Sequence, residues 1–102
     1  MSSTASPFKK RVLIVEDDPE IRNSFSLIVN SSQKFYVANS YGSCEEAIKH
    51  LNADRPDIVL MDIELPGGMN GIQGTKIIKD KHPNADIIMV TVMKTVSLYS
   101  KH

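Results

Sequence analysis

The sequence has no tryptophan and one cysteine, Cys44, among its 102 residues. A single thiol excludes an internal disulfide framework and any multi-cysteine zinc site. Neither charge is in excess, since 12 basic and 12 acidic side chains balance to a net charge of zero. That balance removes the electrostatic footprint through which proteins engage nucleic acid or anionic membranes, and neither is expected as a partner. No apolar run approaches the roughly 20 residues of a membrane span, and the first eight residues hold no hydrophobic signal core. The length allows one domain. A hydrophobic content of 41% with 24% charged residues excludes a disordered chain. The expectation is a cytoplasmic single domain.

What is present is an alternation of short apolar runs and helix-period segments. The runs are Val12–Val15, Ile58–Met61 and Ile87–Val90, with Phe35–Ala38 a weaker and more amphipathic fourth. None of the three strong runs alternates with polar residues, so both faces of each strand are expected to be covered, as in a parallel sheet flanked by helices. Asp18-Pro19 reads as an N-cap followed by proline at the first helical position, with Ile21, Phe25 and Ile28 on one face behind it. Ser43-Cys44-Glu45-Glu46 fits a capping box, and Cys44, Ala47, Ile48 and Leu51 follow at helical spacing. A third helix is expected over residues 72–81, weakened by Gly74 and stopped by Pro83. Phe25, Ile28, Phe35 and Cys44 are expected in the core. The order βαβαβαβ with short connections predicts an open, doubly wound α/β sheet. Residues 1–10 are expected to form a disordered leader.

In such sheets the functional edge lies beyond the carboxyl ends of the strands. Glu16, Asp17 and Asp18 follow the first run, Asp62 follows Met61, and Thr91 ends the last run. Clustered carboxylates repel unless a cation compensates them, and oxygen donors without histidine or thiol suit a hard ion, Mg²⁺ above all. A carboxylate beside such an ion can take up a phosphoryl group as a nucleophile, with a hydroxyl binding one phosphoryl oxygen. Singly, each residue has a plainer reading. An acid after a strand often caps the next helix, which explains Asp18 well and Asp17 poorly. Asp62 precedes the obvious turn Leu65-Pro66-Gly67-Gly68.

The three blocks VLIVEDDPEIR, DIVLMDIELPGG and DIIMVTV together resemble the receiver domain of two-component response regulators over residues 11–92. Each block alone is weak, and their order and spacing carry the resemblance. It implies a flavodoxin-like fold. It also implies that Asp62 is the phosphoacceptor and that Asp17 ligates Mg²⁺, with Glu16 acting through water. The backbone carbonyl of Glu64 takes the third protein ligand position, and Thr91 is the switch hydroxyl. The partner it implies is a sensor histidine kinase, and the activity is signalling by phosphotransfer rather than turnover of a metabolite. A small aspartyl phosphohydrolase is the competing enzyme reading. In that class the nucleophile should follow the first strand, whereas Asp62 follows the third.

Two departures from the family are visible. Leu65-Pro66-Gly67-Gly68-Met69-Asn70-Gly71 is one residue longer than the commonest family turn. After Thr91 only eleven residues follow in this sequence, fewer than the dozen or so that a parallel crossover takes. The expectation is therefore an incomplete sheet of four strands without the usual fourth helix, fifth strand and fifth helix, and with residues 93–102 as a non-family tail. A one-base shift of frame near Val92 lets that tail read like the entry into the family's fourth helix, as in regulators with a helix-turn-helix output domain. No lysine stands where the family places its essential one. A bare fourth-strand edge predicts self-association, so the alternative to phosphotransfer is an interaction or self-association module.

Overall fold

The computed structural model describes residues 9–91. Residues 1–8 of the expected leader, and the whole expected tail, lie outside the described residues. The chain runs β1 (Lys10–Val15), α1 (Pro19–Asn30), β2 (Phe35–Tyr41), α2 (Cys44–Lys49), α3 (Leu51–Asp54), β3 (Ile58–Asp62), α4 (Gly71–Lys81) and β4 (Asp86–Val90). All strand pairings are parallel and the strand order is β2-β1-β3-β4. Each crossover is therefore a helix, as the alternating pattern requires. Among the described residues this is the four-stranded flavodoxin-like sheet that the sequence implies.

One face of the sheet carries the core. Leu13, Val15, Val59 and Met61 point to one side and pack with Cys44, Ala47, Leu51, Leu65 and Ile78. Removing each large side chain of this set from water contributes about 1.5–3 kcal/mol. Gly74 is buried in α4 against the Cys44 sulfur, where a Cβ would overlap Sγ, so the glycine that weakens the helix locally is what lets α2 and α4 approach.

Among the described residues the opposite face is covered by α1 alone. Val12 and Ile14 are buried there, yet no residue of α1 is buried. Ile28 is 66% exposed and Leu27 73% exposed. The expected core placement of Ile28 is thus wrong, and Phe25 and Phe35 are only half-buried. The physical reason is placement. Helix α1 lies over β1 and β2, and the same face above β3 and β4 has no helix on it among the described residues.

Three further local differences from expectation have plain causes. β2 continues to Tyr41 through a register shift opposite Val12/Leu13. The extended strand lets the Tyr41 hydroxyl donate to the buried Asp54 at 2.6 Å. The helix from Ser43 breaks at His50 into α2 and α3, and α3 ends at Arg55 in the left-handed conformation. Helix α4 starts at Gly71, because Asn70 and Gln73 form a reciprocal capping box.

Candidate functional site

The carboxyl ends of β1 and β3 are adjacent, with Val15 paired to Met61. The next residues on the two strands are therefore Glu16 and Asp62, and Asp17 follows one step later. Carboxylate oxygens of Glu16, Asp17 and Asp62 lie within 4.8 Å of one another. Glu16 and Asp62 are wholly buried, and Asp17 is half-buried.

Backbone donors hold two of these carboxylates. The Asp18 amide donates to Glu16 Oε2 at 2.9 Å, and the Glu64 amide donates to Asp62 Oδ1 at 3.0 Å. Asp18 itself accepts from the amides of Glu20 and Ile21, which makes it the N-cap of α1, as its position implies. The acidic turn is fixed from both sides. The Glu16 amide donates to the Tyr41 carbonyl at 3.0 Å, and Arg22 Nη1 donates to the carbonyls of Glu16 and Asp17 at 2.6 and 3.4 Å. The structure thus brings Glu16, Asp17 and Asp62 together and leaves Asp18 to its cap.

Glu64 lies on the rim. Its side chain is exposed, and with Asp17, Leu65 and Pro66 it lines an open pocket of about 300 Å³. Thr91 is exposed and directly follows Val90, which pairs with Asp62 in register. The strand end next to Asp62 is secured by the Ile63 amide, which donates to the Val90 carbonyl at 3.0 Å.

The donor set fits a hard divalent cation. Three carboxylates stand close together and two of them are wholly buried, so their mutual repulsion is poorly screened and a cation relieves it. All the side-chain donors are oxygen, and the open pocket leaves room for the waters that Mg²⁺ retains.

Three participants are absent from the expectations drawn from the sequence. Arg22 stands four residues after the N-cap, but its target depends on how α1 packs. The Asn70-x-x-Gln73 spacing was readable as a capping box. Glu45 accepts a bond from the Met69 amide at 2.8 Å, a contact between segments 24 residues apart that only the fold creates. Cys44, by contrast, is core as expected. Burial is the main cause pushing its thiol up to about 11, with the Glu45 charge adding to it.

The family model for the response regulator receiver domain matches residues 12–101. The chain is 38% identical over 78 residues to a protein-glutamate methylesterase/protein-glutamine glutaminase of Nitrosospira multiformis, covering 76% of this chain and 22% of that protein. It is 32% identical over 82 residues to the response regulator GacA of Pseudomonas viridiflava, covering 80% and 38%. The response regulator domain of Thermotoga maritima CheB superimposes with a TM-score of 0.75 at 28% identity, covering 91% of this chain and 71% of that one. The chain spans less than half the length of these two curated relatives.

Proposed function

This chain belongs to the response regulator receiver family, and from that premise we propose that it accepts a phosphoryl group on Asp62 from a phosphohistidine of a sensor kinase. The observation that carries this reading is the buried carboxylate of Asp62 within 4.8 Å of those of Glu16 and Asp17, with Asp17 lining an open pocket. In the step, an Asp62 carboxylate oxygen forms the bond to phosphorus as the bond from phosphorus to the kinase imidazole nitrogen breaks. The imidazole leaves with the bonding electron pair and takes a proton, and an acyl phosphate remains on the chain.

Asp17 and Glu16, with Asp62 and the Glu64 carbonyl, would hold Mg²⁺. When bound, it neutralises charge on the transferring phosphoryl oxygens. The protein's own residues do the rest. The Glu64 amide orients the Asp62 carboxylate by donating to Oδ1. Arg22 fixes the turn that carries the acidic pair. Thr91, next to Val90 in the strand beside Asp62, supplies the hydroxyl for one phosphoryl oxygen. The role is signalling in the cytoplasm, without metabolite turnover and without DNA contact by this chain. None of the described helices is long and apolar enough to cross a membrane.

The direct experiment mixes a radiolabelled, autophosphorylated histidine kinase core with this chain and Mg²⁺. Label should move to the chain and be lost on alkaline treatment, as an acyl phosphate is. Label that stays on the kinase, tested with several kinase cores, contradicts the reading.

A second role, self-association, is favoured by one specific observation. Among the described residues β4 pairs only with β3, and Ile88 and Met89 on it are 49% and 37% exposed. Beside it, Val12, Val29, Phe35, Ile58, Leu60 and Ile88 line an apolar groove of about 140 Å³. The occupant we assign is a second copy, paired antiparallel through β4. In a register centred on Ile88, Asp86 faces Val90 and Ile87 faces Met89, so no like charges meet. The strand carries no lysine, proline or bulge that would block such an edge.

A further inference from the structure

The loop between β3 and α4 carries two adjacent glycines, and the structure gives each a separate reason. Gly67 has φ +80°, a left-handed conformation that strains any side chain. Gly68 has no such conformation, but it lies against the Glu45 carboxylate, where a Cβ would overlap Oε2. That carboxylate reaches across from the first turn of α2 and accepts the Met69 amide at 2.8 Å. The bond holds the Glu45 carboxyl below its ordinary range although the side chain is exposed. The turn that is one residue longer than the commonest family form is therefore tied down at its tip by a side chain from a different element.

The ends of the same loop are fixed elsewhere. Ile63 is bonded to Val90 at 3.0 Å, and the Gly71 amide closes back on the Ile63 carbonyl at 3.2 Å. Between these points the chain carries Glu64, Leu65 and Pro66, three of the four residues that line the pocket beside the acidic cluster. We propose that Glu45 is a positioning residue for the cation site: by tethering Met69 it holds the β3–α4 loop in the one arrangement that presents Glu64 to the ion. Without the tether the loop samples more conformations, and ordering it is charged against cation binding. This inference rests on the reading of the pocket as a Mg²⁺ site.

The experiment uses the full chain as wild type, Glu45→Ala, Glu45→Gln, Gly68→Ala and the double variant Glu45→Ala/Gly68→Ala. Mg²⁺ affinity is read by titration calorimetry, and the Met69 amide by hydrogen exchange without metal. Glu45→Ala and Gly68→Ala should each weaken Mg²⁺ binding about three- to tenfold, the equivalent of one lost hydrogen bond. Both should speed exchange at Met69. Glu45→Gln should stay within about twofold of wild type, because its amide oxygen accepts the same bond. The double variant should be no weaker than Gly68→Ala alone, since both changes break one contact. Unchanged affinity in Glu45→Ala, with Met69 exchanging faster, overturns the inference and leaves the cation site standing. Equal loss in Glu45→Gln and Glu45→Ala also overturns it, because charge and not tethering would then be the cause. Failure of the wild type to bind Mg²⁺ overturns the site reading itself, and this inference with it.

Discussion

Arg22 on the first helix donates to the main-chain oxygen of Glu16 at 2.6 Å. A side chain on one element thereby fixes the backbone of the acidic turn on another. Its second bond, to the Asp17 carbonyl at 3.4 Å, is weaker by geometry, so the Glu16 contact dominates. Arg22→Ala should cost about 1–2 kcal/mol of stability, seen as a lower urea midpoint at unchanged slope. It should also weaken Mg²⁺ binding. A variant with wild-type stability and affinity would show that the turn holds without it.

Gly74 and Cys44 form a second pair with a readable consequence. A Cβ at position 74 would overlap the Cys44 sulfur, which is itself wholly buried. Gly74→Ala should therefore destabilise the chain by about 1–3 kcal/mol despite the better helix propensity of alanine. Adding Cys44→Ala removes the sulfur that the new methyl meets. The double variant should unfold at higher urea than Gly74→Ala alone, and additive losses would contradict the contact.

Alkaline pH should destabilise the protein. Burial raises the Cys44 thiol to about 11, and burial with the Asp54 carboxylate raises the Tyr41 hydroxyl. Both groups keep their protons in the folded state after the unfolded chain has begun to lose them. The unfolded state then binds fewer protons, so stability falls with rising pH. For Cys44 the stabilisation is complete below the ordinary value of 9.0 and is lost progressively up to about 11. Urea midpoints measured at pH 8, 9, 10 and 11 should decline, and less steeply in Cys44→Ala. A flat profile would contradict the burial of both groups.

The β4 edge makes a prediction about assembly. Sedimentation of the wild-type chain should show association that rises with concentration. Ile88→Lys should return it to a monomer by placing two like charges face to face at the centre of the proposed pairing. A wild-type monomer at every concentration removes the second role.

The residues that the sequence made legible are those whose signal is local. The apolar runs of β1 and β3 mark largely buried parallel strands, as their lack of polar alternation implies. The third run forms β4, where the expected cover on both faces is not found among the described residues and Ile88 and Met89 are exposed. Glu16, Asp17 and Asp62 were readable because they stand directly after the β1 and β3 runs, where strand geometry alone brings them to one edge. Asp18 was separable from them by the proline that follows it. The misplacement of Ile28 has the opposite origin. Helical periodicity shows that a face is apolar, and says nothing of what covers it. Glu45 and Arg22 were invisible for a related reason: each acts on backbone atoms of a distant segment, and backbone targets leave no residue pattern.

The most direct test is incubation of the chain with Mg²⁺ and acetyl phosphate, followed by intact mass measurement, with Asp62→Asn alongside. A single phosphoryl adduct on the wild type that is absent from the variant is the predicted result. An adduct that persists in Asp62→Asn, or no adduct on a folded wild type that binds Mg²⁺, would contradict Asp62 as the phosphoacceptor.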